Sequence, residues 1–457
     1  AIKDTDYAKN NVVLSRFRTI GIAEIKTQGR YFVWPMAIKG FQERPVLGWG
    51  QEGFNYVFNK NYNPAMFGQE EWFDRSHNVF LDWLIAGGLV GFISYILLYV
   101  FLLYYIYKGH EHMRYSERAI LLGMISAYIF NNIFVFDNLI SYIMFFSILA
   151  FVHSIYADKL KTFNTLDSVS VKNDTVTYIV LPVVVILTGL TIYFVNVPAL
   201  QANKTLIKSI SQQSDYQKNL DYFKQAYSYN SFGYDEITEQ LVQAAARSPQ
   251  NVPDSIKSQF RALAEEKLKE KISKTPHDTR YLVFAGSFFN NQARYSDALI
   301  YLNRALEESP KKQTILMEIG TSYLGLGDTA KTLEYFRRAY DLKPSMPESL
   351  KILAIGAIYA KDTKTLQEIS GKLDRNEIVN DDRFLKAYLD SGDYNTAIGL
   401  LNERLVNNPK DVQARMYLAS VYASIGQKAK ASEVLSSVAK DFPEYKAQIE
   451  EYLQKLK

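Results

Sequence analysis

Ser76-His77-Asn78 stands directly before a long apolar run. Ser76 or Asn78 can cap a helix that starts there, by accepting from its free N–H groups. The positive end of that helix then faces His77. Such ends seat phosphate through their N–H groups and dipole. They also disfavour imidazolium, which leaves the ring neutral and able to take a proton. One short segment thus offers an anion seat and a base. The competing reading is an interfacial histidine that only packs and hydrogen-bonds.

Arg30 lies in an aromatic stretch, Gly29-Arg30-Tyr31-Phe32-Val33-Trp34. Arginine contacts phosphate through a planar fork and stays charged in a partly dry site. It can equally snorkel to lipid headgroups from such a stretch. Arg16, Arg18, Arg44 and Arg75 are further cations of the same region, each able to neutralise a pyrophosphate or touch lipid. Gly48-Trp49-Gly50 can form a backbone nest for an anion, although a plain turn explains it as well.

Other chemistry is excluded. The chain has no cysteine, so disulfides, thiol nucleophiles and cysteine metal sites are absent. The five histidines are His77, His110, His112, His153 and His277, and none sits in an HExxH spacing, so no metal site or other cofactor is expected. Net charge is +4 with no long basic block, which gives no case for nucleic acid. Asp137 and His153 read as helix-end residues rather than as an ion pathway.

The elements that must position these residues follow from hydropathy. No charged residue occurs from Trp83 to Tyr107, and none from Thr175 to Asn203. Runs of that length read as membrane spans. Four spans are expected, at about 79–107, 119–136, 138–156 and 177–197. The middle two form a tight hairpin with only Asp137-Asn138 between them. Gly87, Gly88 and Gly91 give the first span a small-residue face for close helix contact. Lys108, Arg114 and Arg118, and then Lys159, Lys161 and Lys172, mark loops on the cytoplasmic side. Residues 1–78 and everything after about 198 then face outward. The chain begins with alanine and its start lacks a signal-peptide pattern, so it reads as a piece of a longer membrane protein.

Residues 199–457 read as a soluble outward domain. Pro310 and Pro344 are 34 residues apart, as are Pro409 and Pro443. Ala298, Ala305, Ala330, Ala339, Ala397, Ala429 and Ala431 supply small residues within these units. A 34-residue helix–turn–helix period resembles the tetratricopeptide repeat. A degenerate unit is expected near 345–375, and a helical stretch at 213–247 is a candidate start of the array. The expected class is all-α: a polytopic membrane domain followed by an α-solenoid.

The order Arg30…Trp34, Pro45-x-x-Gly48-x-Gly50-x-x-x-Phe54, His77-Asn78-x-x-Leu81, then Gly87-Gly88-x-x-Gly91 resembles the C-terminal domain of the O-antigen ligase family. That family includes lipopolysaccharide O-antigen ligases, Wzy-type polymerases and bacterial protein O-oligosaccharyltransferases. The resemblance covers about residues 1–155. It implies a multi-pass glycosyltransferase of the bacterial cytoplasmic membrane that needs no metal or nucleotide-sugar. The donor would be a glycan on undecaprenyl pyrophosphate, and the acceptor a hydroxyl of a lipid, glycan or protein. Arg30 would engage the pyrophosphate, and His77 would activate the acceptor or contact the leaving group. Arg75, Arg44, Asn78 and Arg18 would complete the substrate site, with Arg16 or Arg18 as counterpart to a second family arginine. A protein partner is expected on the repeats.

Two other classes compete. A non-catalytic membrane-anchored scaffold explains the repeats but leaves the Arg30 and His77 motifs to coincidence. A transporter of envelope precursors is disfavoured by the apolar span interiors.

Overall fold

The computed structural model describes residues 28–108, 113–156, 173–211, 215–247 and 252–456. Arg16, Arg18, His110, His112, Lys159, Lys161 and Lys172 lie outside them. The described residues contain helices and no strand. They divide into two compact units, residues 1–292 with 300–310, and residues 293–299 with 311–457.

The first unit opens with α1 (Gly29–Glu43) and α2 (Phe54–Lys60). They meet where Gly40 leaves room for Val57; a Cβ on Gly40 would lie 2.3 Å from Val57 Cγ1. Val33, Met36, Phe54, Phe58, Met66 and Phe73 form the core under them, and Ile85 of the next helix joins it.

That next helix, α3 (Val79–Lys108), begins where the first span is expected but is broken at Gly88 (φ 59°, ψ −155°). Gly88 therefore does not serve as a flat packing face. The segment Pro45–Gly50 fills the break by backbone pairing. Trp49 and Gly50 N–H groups donate to the carbonyls of Ile85 and Ala86, at 2.7 and 3.0 Å. Leu89 and Val90 N–H groups donate to Pro45 and Val46, at 2.8 and 3.3 Å. A break at membrane depth is viable only when freed backbone groups find such partners.

Helices α4 (Tyr115–Asn132) and α5 (Leu139–Tyr156) pack on α3 through Tyr95, Tyr99, Leu102, Ile125, Phe145 and Val152. Arg118 donates to the carbonyls of Ile106 and Tyr107, so a cation closes the C-terminal end of α3. The α4–α5 connection runs over residues 133–138, longer than the two-residue turn read from the sequence. Its length has a local cause. Asn138 caps α5 through its Oδ1, which accepts from the Ser141 N–H, and Asp137 is drawn inside.

Helix α6 (Leu181–Ile210), entered through a π-helical turn at Val176–Val180, runs past the domain boundary expected at 198. Its side chains from Leu181 to Val195 are mostly exposed, whereas Ala199, Ala202 and Leu206 are buried. One helix thus carries both an apolar segment and the start of the soluble packing. Two helices among those described are long and apolar enough to cross a membrane, Val79–Lys108 and Val176–Ile210; Leu139–Ile155 is apolar and shorter. Helices α7 (Tyr216–Ser228), α8 (Tyr234–Ala246), α9 (Asp254–Lys274) and α10 (Thr279–Asn291) follow, then α11 (Tyr295–Glu308). The α7–α8 pair occupies the stretch read as the start of the array. Ser309, just after α11, donates to the Asn59 carbonyl in a buried bond of 2.8 Å, which ties α2 to these helices.

The second unit is repetitive. It holds α12 (Gln313–Gly325), α13 (Thr329–Leu342), α14 (Pro347–Ala360) and α15 (Thr363–Ile369). It continues through α16 (Arg375–Asn380), α17 (Asp382–Asp390), α18 (Tyr394–Asn407), α19 (Val412–Ser424), α20 (Lys428–Asp441) and α21 (Lys446–Leu456). Positive φ recurs at Ala293, Gly327, Lys361, Gly392 and Gly426. After four of these, the next residue's N–H reaches back to a helical carbonyl: Asp328 to Tyr323, Asp362 to Ala357, Asp393 to Tyr388 and Gln427 to Tyr422. This is a left-handed helix stop. Asp328, Asp362 and Asp393 then cap the helices that follow. The degenerate unit keeps the turn but puts lysine in the glycine position. Between helices, Phe336 fills the space left by two glycines, 2.3 Å from a Cβ on Gly320 and 2.7 Å from one on Gly356.

Candidate active site

At the start of α3, Asn78 is the cap: its Oδ1 accepts from the Leu81 N–H at 3.1 Å, and its carbonyl accepts from Asp82 at 2.9 Å. Ser76, the other candidate, is fully buried and does something else. Its N–H and its hydroxyl both donate to Asp82 Oδ1, at 2.8 and 2.7 Å. Its carbonyl accepts from Trp34 Nε1 at 3.2 Å. The expected anion seat is therefore altered: the helix end carries Asn78's amide oxygen and a first-turn carboxylate, both of which the positive end attracts.

His77 sits between these two anchored residues with φ 55°. Left-handed backbone is uncommon outside glycine, although histidine is among the residues enriched there. The imidazole is flanked edge-on by Phe73, with centroids 5.5 Å apart, and by Phe136, at 5.2 Å.

Arg30 is the second residue of α1. Its Nε is buried and has no hydrogen-bond partner among the described residues. The start of α1 rests on Phe73, since a Cβ on Gly29 would lie 3.0 Å from Phe73 Cζ. Phe73 thus touches both the Arg30 end of α1 and the ring of His77. No hydrogen bond or ion pair links Arg30 to His77 among the described residues.

The remaining candidates are engaged elsewhere. Arg75 forms an ion pair with Glu52 at 2.8 Å and lies 5.9 Å from the Phe136 ring centre. Arg44 stacks over Trp49 at 4.1 Å, and the Trp49 indole N–H donates to Gly40 at 2.8 Å. Arg18 lies outside the described residues. The nest at Gly48-Trp49-Gly50 is not free, because its N–H groups bond to Arg44, Ile85 and Ala86.

Two residues escaped the sequence reading, Asp82 and Phe136, and a third, Asp137, does more than mark a helix end. Asp137 is buried and accepts from Tyr95, Tyr128 and Ser141. Tyr95 and Tyr99 are 2.7 Å apart, and Asn132 reaches both hydroxyls. This network joins α3, α4 and α5 and fixes the connection that presents Phe136 to His77. Nothing local in the sequence marks it, since its partners are tyrosines scattered over two other helices. A small polar cavity of about 40 Å³ lies beside it, lined by Glu52, Arg75, Asp82, Asp137 and Tyr142 among others.

A larger cleft of about 850 Å³ opens within the same unit, between residues 51–74 and the α8–α10 helices. Glu70, Glu71, Asp74, Glu236, Glu239 and Asp278 line it, against Lys271 and Arg280. Burial raises the pKa of the Glu239 carboxyl, an effect that Arg280, 2.7 Å away, only partly offsets. Burial also raises Asp278. With this lining the cleft repels a polyanion.

The comparisons agree with the motifs. Residues 8–96 match the O-antigen ligase family model, and residues 289–347 and 388–456 match tetratricopeptide-repeat models. A ComP-specific O-oligosaccharyltransferase of Acinetobacter baylyi is 35% identical over 77 residues, 16% of this chain and 14% of that protein. An uncharacterized protein of Haemophilus influenzae is 28% identical over 111 residues, 24% of this chain and 27% of that protein. The matched stretches therefore span a seventh and about a quarter of these relatives. Among solved structures, the P58(IPK) tetratricopeptide-repeat domain aligns over 57% of this chain and 78% of its own, at 16% identity and TM-score 0.23. The human IFIT1 dimer aligns over 90% and 95%, at 14% identity and TM-score 0.33. Neither structural likeness is close enough to carry weight. The N-terminal part of the chain is similar to the O-antigen ligases, and tetratricopeptide repeats follow it.

Proposed function

We propose that His77 and Arg30 serve a membrane glycosyltransferase that moves a glycan from undecaprenyl pyrophosphate to an acceptor hydroxyl. The reading rests chiefly on one observation. The segment similar to the ligases holds His77 in an unusual backbone conformation between two aromatic rings, at the capped mouth of an apolar helix. Function is where such conformations concentrate.

The acceptor hydroxyl attacks the anomeric carbon of the donor glycan while His77 takes its proton. The bond from that carbon to the pyrophosphate oxygen breaks, and the electron pair leaves with the lipid pyrophosphate. Arg30, with an unfilled Nε, stabilises the charge that builds there. Arg75, Arg44, Asn78 and Arg18 belong to the surrounding substrate site, with Asn78 holding the helix end. No cofactor is required.

The chain crosses the bacterial cytoplasmic membrane four times, at about 79–107, 119–136, 138–156 and 177–197. Residues 1–78 and 199–457 then lie on the extracytoplasmic side, and the repeats recruit a protein partner. The Acinetobacter baylyi relative supports the protein-acceptor arm of this reading by its description.

The test expresses the gene's full-length product in a host that makes undecaprenyl-linked glycan, beside His77→Ala and Arg30→Ala. Transfer is read on lipid, polymer and protein fractions at matched membrane abundance. Losing the base should lower transfer roughly 10²- to 10⁴-fold. Losing a charge-stabilising donor should lower it roughly 10²- to 10³-fold. Undiminished transfer in both variants would remove His77 and Arg30 from the mechanism, and no transfer by the parent in any fraction would return the chain to the scaffold reading.

A further inference from the structure

We infer that Asp82 is a positioning residue for His77, acting through Ser76; the inference rests on the reading of His77 as the base. The geometry is not that of a capping box, in which an acid at the third helical position reaches back to the cap residue's own N–H. The third helical position here is Leu81, and Asp82 follows it. Its carboxylate reaches back past the cap, and past His77, to the N–H and hydroxyl of Ser76. The chain from Ser76 to Asp82 closes into a ring with His77 at its crown.

Both feet of the arch are pinned. Ser76 is held by Asp82 and by Trp34, and Asn78 is held as the cap of α3. The left-handed backbone of His77, set between these two, is imposed by its neighbours. Asp82 also keeps its second oxygen, Oδ2, buried and without a hydrogen-bond partner among the described residues. A buried carboxylate oxygen left in that state is unfavourable and calls for a reason. Holding the arch supplies one. Ser76 cannot serve as a nucleophile instead, because it is fully buried and its hydroxyl is engaged by Asp82 and by the Asn78 carbonyl.

The test separates positioning from general structural support. The gene's full-length product is labelled with ¹³C-histidine, and the His77 signals are identified by their loss in His77→Ala. The Cα and Cβ shifts of His77 report its backbone conformation without any need for transfer. In Asp82→Ala they should move away from left-handed values, whereas Asp82→Asn, which keeps an acceptor oxygen, should move them less. Transfer from an undecaprenyl-pyrophosphate-linked oligosaccharide is then measured in a double-mutant cycle. Asp82→Ala should lower kcat roughly 10²-fold, the scale of a misplaced catalytic group, with the donor KM unchanged. In the His77→Ala background it should lower the residual rate no further.

Equal losses in both backgrounds would overturn the inference, as would unmoved His77 shifts in folded Asp82→Ala protein. If Asp82→Ala fails to fold, Ser76→Ala removes the hydroxyl's contacts with Asp82 and with the Asn78 carbonyl, keeps the Ser76 N–H contact to Asp82, and is judged by the same two readouts. Absence of transfer in the parent would count against the proposed function, while the shifts would still decide on the brace.

Discussion

Gly48 and Gly88, far apart in sequence, meet backbone to backbone: a Cβ on Gly88 would lie 2.7 Å from the Gly48 N and 2.4 Å from the Val46 carbonyl. The contact welds the loop after α1 into the break in α3. Both glycines have positive φ, 69° at Gly48 and 59° at Gly88. Gly88 also has ψ −155°, in a region that only glycine visits freely. Gly88→Ala and Gly48→Ala should each destabilise by about 1–3 kcal/mol from backbone strain alone, with the clash in addition. Gly87→Ala is the control, because a Cβ there meets nothing within 4 Å. It should be neutral or stabilising by up to about 1 kcal/mol. Thermal unfolding in detergent would check this, and equal tolerance of all three would refute the weld.

The helices themselves were legible, because length and apolar runs mark α3 and α6, and a 34-residue proline spacing marks the repeats. The break at Gly88 was not. A glycine in an apolar run reads as close packing, and the segment that fills the break, Pro45–Gly50, comes before α2 in the chain. For the same reason Gly48-Trp49-Gly50 read as a turn or an anion nest, when the Trp49 and Gly50 N–H groups serve α3. His77 and Asn78 were legible through their place before a helix. Asp82 and Asp137 were not, because their roles depend on Ser76, Tyr95 and Tyr128 being brought to them by folding.

The left-handed backbone of His77 separates its contribution to function from its contribution to stability. His77→Ala and His77→Gly both remove the ring and its contacts with Phe73 and Phe136. They differ only in how easily the backbone reaches its positive φ. His77→Gly should therefore be more stable than His77→Ala by about 1 kcal/mol, the reverse of the usual order for an alanine–glycine pair. Both should lose transfer. Paired melts would check it; a less stable glycine variant would mean that the strain is not there.

The repeats offer a gain of stability by the same reasoning. Lys361 and Ala293 occupy positions where Gly327, Gly392 and Gly426 serve the equivalent turns, and their φ values are 55° and 56°. Lys361→Gly and Ala293→Gly should each stabilise by about 1 kcal/mol by relieving a left-handed residue that carries a Cβ. Chemical denaturation should show a raised midpoint with an unchanged slope. A drop at Lys361 would indicate that the degenerate unit uses its lysine.

Acid should test Glu270. Hydrogen bonds from Lys274, Tyr234 and Lys267 lower its pKa from the ordinary 4.5 to about 2. A carboxylate depressed in the folded state adds stability that is complete above the unfolded value and disappears as pH falls through the folded one. Its share is therefore lost between about pH 4.5 and 2. Glu270→Gln should flatten the fall of stability in that window and leave the shape of the curve above it unchanged. Glu239, raised by burial, carries the opposite sign: its ionisation opposes folding as pH rises, so Glu239→Gln should not flatten the acid limb. Unfolding midpoints taken across that range would check both.

The sidedness of the chain can be tested directly because it contains no cysteine to remove. Phe232 follows α7 in the part read as extracytoplasmic, and it is 77% exposed. Arg114 lies between α3 and α4, in a loop whose basic residues argue for the cytoplasm. In intact cells, a membrane-impermeant maleimide should label Phe232→Cys and leave Arg114→Cys unmodified until the membrane is permeabilised. The two sites lie at opposite ends of an arrangement with an odd number of crossings between them, at 119–136, 138–156 and 177–197. If one of those segments fails to cross, both cysteines label alike. Labelling of Arg114→Cys alone would invert the topology and put His77, one crossing away from Arg114 through α3, on the cytoplasmic face. An extracytoplasmic glycan transfer at His77 requires the first pattern.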